Sequence, residues 1–413
     1  MKESTFRVCC RLGKVLFAGF AFACAGPASA PTPGSGGGPP VIDAGVTSDS
    51  RPSRTDTLPP IPGLTPDTPA ERFTPLPADV LAKRLVRLLW DQTDVPASLV
   101  ADLAGQSLDG DRIAAIAESM LSDPRGEAGV RAFFRHWLDT NTGLRDFASW
   151  PKEARAEVEE SAALGAHITR AVDGTYADLL SAPFTFVNEA LAPRYGLSDV
   201  RGEEWRKIPY PAGQNRFGLL TGAGILSRFA TVDIEFSWPA KRSWMILDQI
   251  LCFGVPKTFL ETPPPDANKS IRQQMIEVTA PSNCMACHQF LNSPGFAFIG
   301  FDREGRWRPA PGHGPDETKG WLPALLFADE PQFDGPEQLA RLLIERPRAA
   351  QCLANSWLQY AVDPKELPLL ENIRTPSVAE SLPATYGAFV RSGFRLKALL
   401  IAVARSKAVA GTP

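Results

Sequence analysis

At 413 residues, with 44% hydrophobic and 22% charged residues, the sequence is long enough for two folded domains and ordinary in composition for a globular protein. Its formal net charge is −3, and no basic stripe remains outside the first thirty residues. Because nucleic-acid-binding domains carry a basic patch, we expect no nucleic-acid partner.

Residues 1–30 have the pattern of a secretory signal. Basic residues come first, an apolar run follows at residues 15–23, and small residues close the segment. The run is too short for a permanent transmembrane helix. Cleavage could follow Ala30, or Cys24 could become the lipidated first residue of a lipoprotein, and the sequence leaves both open. We therefore expect an exported protein, in the periplasm or at the cell surface, attached to a membrane only through a lipid at Cys24.

Residues 31–71 are predicted to form a disordered linker. The stretch from 26 to 70 holds eleven prolines and seven glycines. Such a segment cannot bury enough apolar surface to offset the entropy lost on ordering. It would tether the folded part of the chain to the exported N-terminus.

Helical periodicity dominates from residue 72 onward, and no sustained period-two alternation predicts sheet. Apolar residues recur at three- and four-residue spacing, as in Leu81, Leu85, Leu88 and Leu89. Asp111 is expected to cap the second helix. Later helices are expected at about 152–172, 187–195, 336–344, 349–360 and 379–404. We therefore predict a mainly α protein with two helical modules, residues 72–212 and 213–405.

The first module shows no catalytic grouping. His136 and His167 are isolated histidines without metal-ligand spacing, and we interpret both as packed or half-exposed side chains. No carboxylate pair or Ser/His/Asp arrangement accompanies them, so no catalytic residue is assigned.

The second module contains Cys284-Met285-Ala286-Cys287-His288, the C-x-x-C-H arrangement that attaches a c-type haem. On a helix, residues three and four apart share a face, so Cys284, Cys287 and His288 would point the same way. The thiols could bond the two haem vinyl groups while the imidazole reaches the iron. The same residues also suit a disulfide, a redox pair, or a zinc site completed by Cys252, Cys352 and His313.

The residues after this motif could complete a cofactor pocket. Phe296, Phe298 and Phe301 could wall a flat apolar cofactor, and Arg306 and Arg308 could meet its propionates. The same residues would equally build a small core with a tight turn, so both interpretations stay open.

Cys252 and Cys352 are solitary once the leader and the motif are set aside. In an exported protein two solitary cysteines suggest one disulfide. Such a bond requires the two Cα atoms to lie within about 7 Å of each other.

Short motifs follow one another in a fixed order over residues 72–362. They lie at 81–85, 89–90, 120–125, 134–138, 185–189, 195–196, 218–221, 284–288, 295–296, 301–302 and 357–361. In combination they resemble the planctomycete-type cytochrome-c-like proteins of unknown function, which are also common in myxobacteria. The resemblance implies an exported, mainly helical protein whose second module is cytochrome-c-like and carries one covalent haem c. It implies no established reaction.

The second axial ligand of the iron is not identified by the sequence. Many proteins of this family have a histidine six residues before the first motif cysteine, and Val278 stands there instead. The Asp-x-Ser-Gly-like element expected downstream is also absent around residues 318–321. Candidate ligands are the core-spaced Met120, Met245 and Met275 and the loop residue His313. We expect an iron with a weak second protein ligand or none.

One haem motif and no second cofactor motif favour electron transfer by a single haem, with an unknown redox partner protein, in a periplasmic or cell-surface redox pathway. One alternative is a haem-free, disulfide-stapled binding or scaffold protein at the cell surface. Another is a peroxidase-like haem enzyme with an open iron position.

Overall fold

The computed structural model describes residues 68–104, 108–138, 149–230, 239–255, 266, 268–308, 317–327, 329–364, 370 and 373–412. Outside these ranges lie residues 1–67, which include the expected signal with Cys24 and most of the expected linker, and also His313. All described residues belong to one structural unit. Within them, no helix combines the length and hydropathy that crossing a bilayer requires.

Helices make up most of the described chain, and the predicted mainly α fold is confirmed. They are α1 (Ala78–Trp90), α2 (Ala97–Ala104), α3 (Gly110–Ser122), α4 (Gly126–Leu138), α5 (Lys152–Arg170), α6 (Tyr176–Ser181), α7 (Ala223–Arg228), α8 (Pro239–Trp244), α9 (Ile271–Thr279), α10 (Ser282–Phe296), α11 (Ala324–Phe327), α12 (Gly335–Glu345), α13 (Pro347–Val362), α14 (Pro376–Arg391), α15 (Leu396–Ala404) and α16 (Lys407–Ala410). Helix α8 continues directly into a π-helical segment, Met245–Ile250.

Sheet is confined to two short antiparallel pairs in the described residues. Strand β1 (Phe184–Val187) pairs with β2 (Arg206–Pro209), and β3 (Lys319–Trp321) pairs with β4 (Gln332–Asp334). The helix predicted at 187–195 is therefore wrong, because β1 ends at Val187 and only a 3₁₀ turn, Ala192–Tyr195, follows. The spacing of the apolar residues in this segment is compatible with a helix and with a strand. The pairing with β2 determines that a strand forms.

Two helix boundaries differ from the sequence prediction. Asp109 caps α3, since its side chain accepts hydrogen bonds from the backbone N–H groups of Asp111 and Arg112 at 3.1 and 2.9 Å. Asp111 lies in the first turn, where its charge still favours the helix dipole. The single helix predicted at 379–404 is two helices, because Gly393 and Phe394 adopt positive φ values of 74° and 60° between α14 and α15.

One hydrophobic core includes residues from both predicted modules. Phe133 of α4 stacks on Trp357 of α13 with 3.5 Å between the ring centroids. The indole of Trp137, also on α4, donates to the carbonyl of Gln249 at 3.0 Å. The predicted modules, residues 72–212 and 213–405, therefore pack against each other. The boundary between residues 212 and 213 stays a prediction.

A buried carboxylate also links the two stretches. Glu160 of α5 is 1% exposed and accepts hydrogen bonds from Thr185 Oγ1 and the backbone N–H of Gly224, both at 2.7 Å, and from the Tyr195 hydroxyl. The Tyr195 oxygen in turn accepts from the N–H of Ala223 at 2.7 Å. Burial raises the pKa of Glu160, and the hydrogen bonds oppose that rise. Thr185 and Tyr195 belong to the short motifs, and binding Glu160 is their physical role.

We expect Glu160→Ala to lower the free energy of unfolding by about 3 kcal/mol, because three donors lose their acceptor in the protein interior. Urea unfolding of the purified chain measures this loss. Glu153→Ala, on an exposed position of the same helix, is the matched control and should change stability by no more than about 0.5 kcal/mol. Equal unfolding midpoints for the two variants would contradict the assignment.

Candidate functional site

The C-x-x-C-H motif lies in the first half of α10, which starts at Ser282 immediately after Pro281. The helical condition for Cys284, Cys287 and His288 to share a face is therefore met. Cys284 is half-buried, Cys287 is exposed, and neither is in a disulfide. His288 is half-buried. Both thiols are thus at or near the surface of the helix, with Cys284 one turn before His288 and Cys287 directly before it.

His288 is held by the side chain of Asn292, which was not among the residues predicted from the sequence. Its Nδ1 atom lies 2.8 Å from Oδ1 of Asn292, one turn further along α10. Asn292 Nδ2 donates to Thr279 Oγ1 at 2.8 Å, and Thr279 Oγ1 donates to the carbonyl of Met275 at 2.7 Å. Asn292 could have been found from its four-residue spacing to His288. Thr279 lies on another helix, α9, and local spacing does not reveal it.

Apolar side chains are exposed on the same two helices. Ile276 and Val278 on α9 and Met285 on α10 are three of the four large hydrophobic side chains that are exposed in the described chain. The sequence from 278 to 301 contains no charged residue. Met285 follows Cys284 directly in the sequence, and an exposed apolar side chain beside polar functional groups is typical of a ligand-binding surface.

Phe296 and Phe301 lie at the opposite end of α10 from the thiols. A helix rises about 1.5 Å per residue, so Phe296 is about 18 Å along the axis from Cys284. Phe296 is buried in a small cluster with Met275 and Ile299. Phe301 is buried in the main core, edge-on to the indole of Trp307 at 5.0 Å between centroids. Phe296 is therefore more than three helical turns from Cys284, and both rings are packed against other apolar side chains of the protein.

Arg306 and Arg308 face carboxylates of their own segment. Arg306 pairs with Glu304 and approaches Asp302 at 3.9 Å, while Nε of Arg308 lies 3.1 Å from Asp302 Oδ2. These ion pairs fit the second interpretation of this segment, in which it forms a small core with a tight turn. Contact of Arg306, Arg308 and the two rings with a cofactor stays a prediction.

The turn after α10 is built around Arg242 of α8, another residue that the sequence reading missed. Its buried guanidinium donates to the carbonyls of Phe298, Phe301 and Asp302 at 2.9, 2.7 and 2.5 Å. It also donates to the carbonyl of Leu226 at 3.3 Å. Burial lowers the pKa of Arg242, and the charge of Asp302 opposes this. The guanidinium thus binds several carbonyl groups of the turn that follows α10 and holds that turn against α8.

The candidate axial ligands upstream of the motif are core residues. Met120, Met245 and Met275 are all buried, as their helical spacing predicted. His167 of α5 lies 3.0 Å from the Lys207 ammonium, and burial together with that positive charge lowers its pKa. His136 of α4 contacts the ring of Tyr360. His313, the remaining candidate, lies outside the described residues.

Cys252 and Cys352 form a disulfide in the structure. Their Cα atoms are 5.4 Å apart, both side chains are fully buried, and the bond joins the end of the π-helical segment to α13. Neither can complete a zinc site. No group of three or more His, Cys, Asp or Glu side chains converges as a metal site in the described part of the chain.

A surface cleft of about 450 Å³ lies beside α5 and shares no residue with the motif. Its lining carries both charges, including Lys152, Arg155 and Glu203. Glu159, also in the lining, is already paired with Arg131 of α4 at 3.2 Å. Nothing in the cleft groups residues for chemistry, so the motif on α10 is the stronger candidate site.

Two family models match the chain. PSD4, described as a protein of unknown function (DUF1592), matches residues 76–197. PSCyt3, described as a protein of unknown function (DUF1588), matches residues 216–310, a range that contains the C-x-x-C-H motif. These are planctomycete cytochrome-like domains of unknown function. No curated protein and no solved structure matches the chain.

Proposed function

We propose that the chain is an exported c-type haem protein in which Cys284 and Cys287 carry one haem and His288 is its proximal ligand. The observation that carries this proposal is the geometry of His288 on α10. Its Nδ1 is engaged by Asn292, so Nε2 is left for the iron, and the helix places the half-buried thiol of Cys284 one turn earlier and the exposed thiol of Cys287 directly before it. The haem, when bound, supplies one-electron chemistry at its iron.

The residues around the motif suit a large apolar cofactor better than a zinc ion. Each thiol can add its S–H across a vinyl group, which forms a thioether and needs no oxidant. The exposed Met285, next to Cys284 in the sequence, would gain an apolar cover. A structural zinc site needs about four converging ligands, and the described residues supply no such group.

Export and a redox partner complete the proposal. The buried Cys252–Cys352 disulfide supports an oxidising compartment, the periplasm or the cell surface, with lipidation of Cys24 as the route to a membrane. One haem and no second cofactor motif support transfer of single electrons to another redox protein.

A peroxidase-like enzyme is the second candidate, and the burial of Met120, Met245 and Met275 favours it. With those side chains packed in the core, none is available on the helix face that carries His288. A six-coordinate ferric spectrum would support the electron carrier. A five-coordinate spectrum with rapid reaction toward peroxide would support the enzyme.

Covalent attachment is tested on denaturing gels stained for haem after expression with export and haem-attachment machinery. We expect a stained band for the wild-type chain and none for Cys284→Ser/Cys287→Ser, because thioether bonds survive denaturation. Cys252→Ser/Cys352→Ser removes the same number of cysteines, none of them in the motif, and should keep the stain. An unstained wild-type band, from cells that mature another c-type cytochrome, would refute the proposal in favour of a haem-free scaffold.

A further inference from the structure

Three hydrogen bonds in series run from His288 into the protein. They pass through Asn292, which is 7% exposed, and Thr279, which is 3% exposed, and they end on the carbonyl of Met275. Because buried polar groups must be paired, each atom in this chain has a restricted role as donor or acceptor. Those roles decide where the proton of the imidazole lies.

The proton positions follow from the carbonyl end. The Met275 carbonyl can only accept, so the Thr279 hydroxyl donates to it and is left to accept from Asn292. Asn292 therefore presents its NH₂ to Thr279 and its oxygen to the imidazole. An amide oxygen can only accept, so Nδ1 of His288 must carry the proton. In the neutral imidazole Nε2 then holds a free lone pair.

We infer that Asn292 is a positioning residue that holds His288 in the Nδ1–H tautomer and thereby keeps the lone pair of Nε2 for a ligand bond. Its second effect follows from its lack of charge. A carboxylate at this position would draw the imidazole proton toward itself and make Nε2 a more electron-rich ligand. A neutral amide does so less, and thereby favours the reduced form of a ligated iron. The second effect rests on the proposed function, whereas the tautomer can be tested without it.

The tautomer test uses the full chain in its haem-free form and nitrogen-15 correlation spectra, recorded well above the usual pKa of histidine. We expect His288 to be protonated at Nδ1, and His288→Gln assigns the signal. A free neutral histidine favours the Nε2–H form, so Asn292→Ala and Thr279→Val should shift the population toward it. Thr279→Val leaves Asn292 in place, so it tests the orientation of the amide if Asn292→Ala folds poorly. Nε2–H in the wild-type chain would overturn the inference.

The second test measures the reduction potential of haem-loaded protein. We expect Asn292→Asp to lower the potential relative to wild type. Gln289→Glu places the same new charge one residue from His288 but on another face of α10, and should lower it less. Equal shifts in the two variants would overturn the role of Asn292 in setting the potential. If wild type carries no haem, the proposed function fails, and the tautomer spectra still decide the role of Asn292 at His288.

Discussion

Arg242→Met is expected to lower the free energy of unfolding by about 4 kcal/mol, one of the two largest single effects in this fold. Methionine fills a similar volume, but it removes four hydrogen bonds from a buried charged donor to the carbonyls of Leu226, Phe298, Phe301 and Asp302. The carbonyls of Phe298 and Asp302 each keep one backbone donor, the N–H groups of Phe301 and Gly305. Each hydrogen bond lost from the charged guanidinium costs about 1 kcal/mol or more. Urea unfolding, followed by far-ultraviolet circular dichroism, measures the loss.

Lys241→Met is the matched control, because it removes the same charge one residue earlier on α8. Lys241 donates to one carbonyl, that of Ala230, at 3.2 Å, and its side chain is partly exposed. Its replacement should cost about 1 kcal/mol or less. If the two variants unfold at the same urea concentration, the buried guanidinium does not hold the turn after α10.

The sequence was sufficient for the mainly α fold class and for the motif, because both depend on local spacing, but it failed at 187–195, where strand pairing decides the structure, and at the break between α14 and α15. Amphipathic spacing reports which face of a helix is buried, and the C-x-x-C-H spacing reports which residues share a face once the segment is helical. The same reasoning could have found Asn292, which is four residues from His288. All of these inferences concern residues of one helix, in which the spacing along the sequence determines which side chains lie on the same face.

Contacts between distant residues were not accessible in this way. Arg242 binds carbonyls 56 to 60 residues later in the chain, and Glu160 binds groups 25 to 64 residues away. Residue type alone was also ambiguous for Arg306 and Arg308, which suit cofactor propionates and local carboxylates equally. The contacts of Asp302 with Arg308 and of Glu304 with Arg306 show the local pairing in the fold.

Loss of the Cys252–Cys352 disulfide is expected to lower the free energy of unfolding by about 4 kcal/mol, because the bond spans a sequence separation of 100 residues. A loop of that length restricts the unfolded chain strongly. Urea unfolding of the wild-type chain with and without dithiothreitol measures the difference. Cys252→Ala/Cys352→Ala should be less stable than oxidised wild type and insensitive to the reductant.

Two comparisons test whether this loss of stability comes from the Cys252–Cys352 disulfide and whether the bond depends on the compartment. Cys284→Ala/Cys287→Ala changes the other two cysteines of the folded region and should keep the full response to dithiothreitol. Chain produced in a reducing cytosol should match the reduced protein, whereas exported chain should match the oxidised one, because disulfides persist in oxidising compartments. A non-reducing peptide map that shows free thiols at Cys252 and Cys352 in exported protein would contradict both the bond and the compartment inferred from it. An oxidised map combined with an unstained haem band would instead leave a disulfide-stapled scaffold as the function.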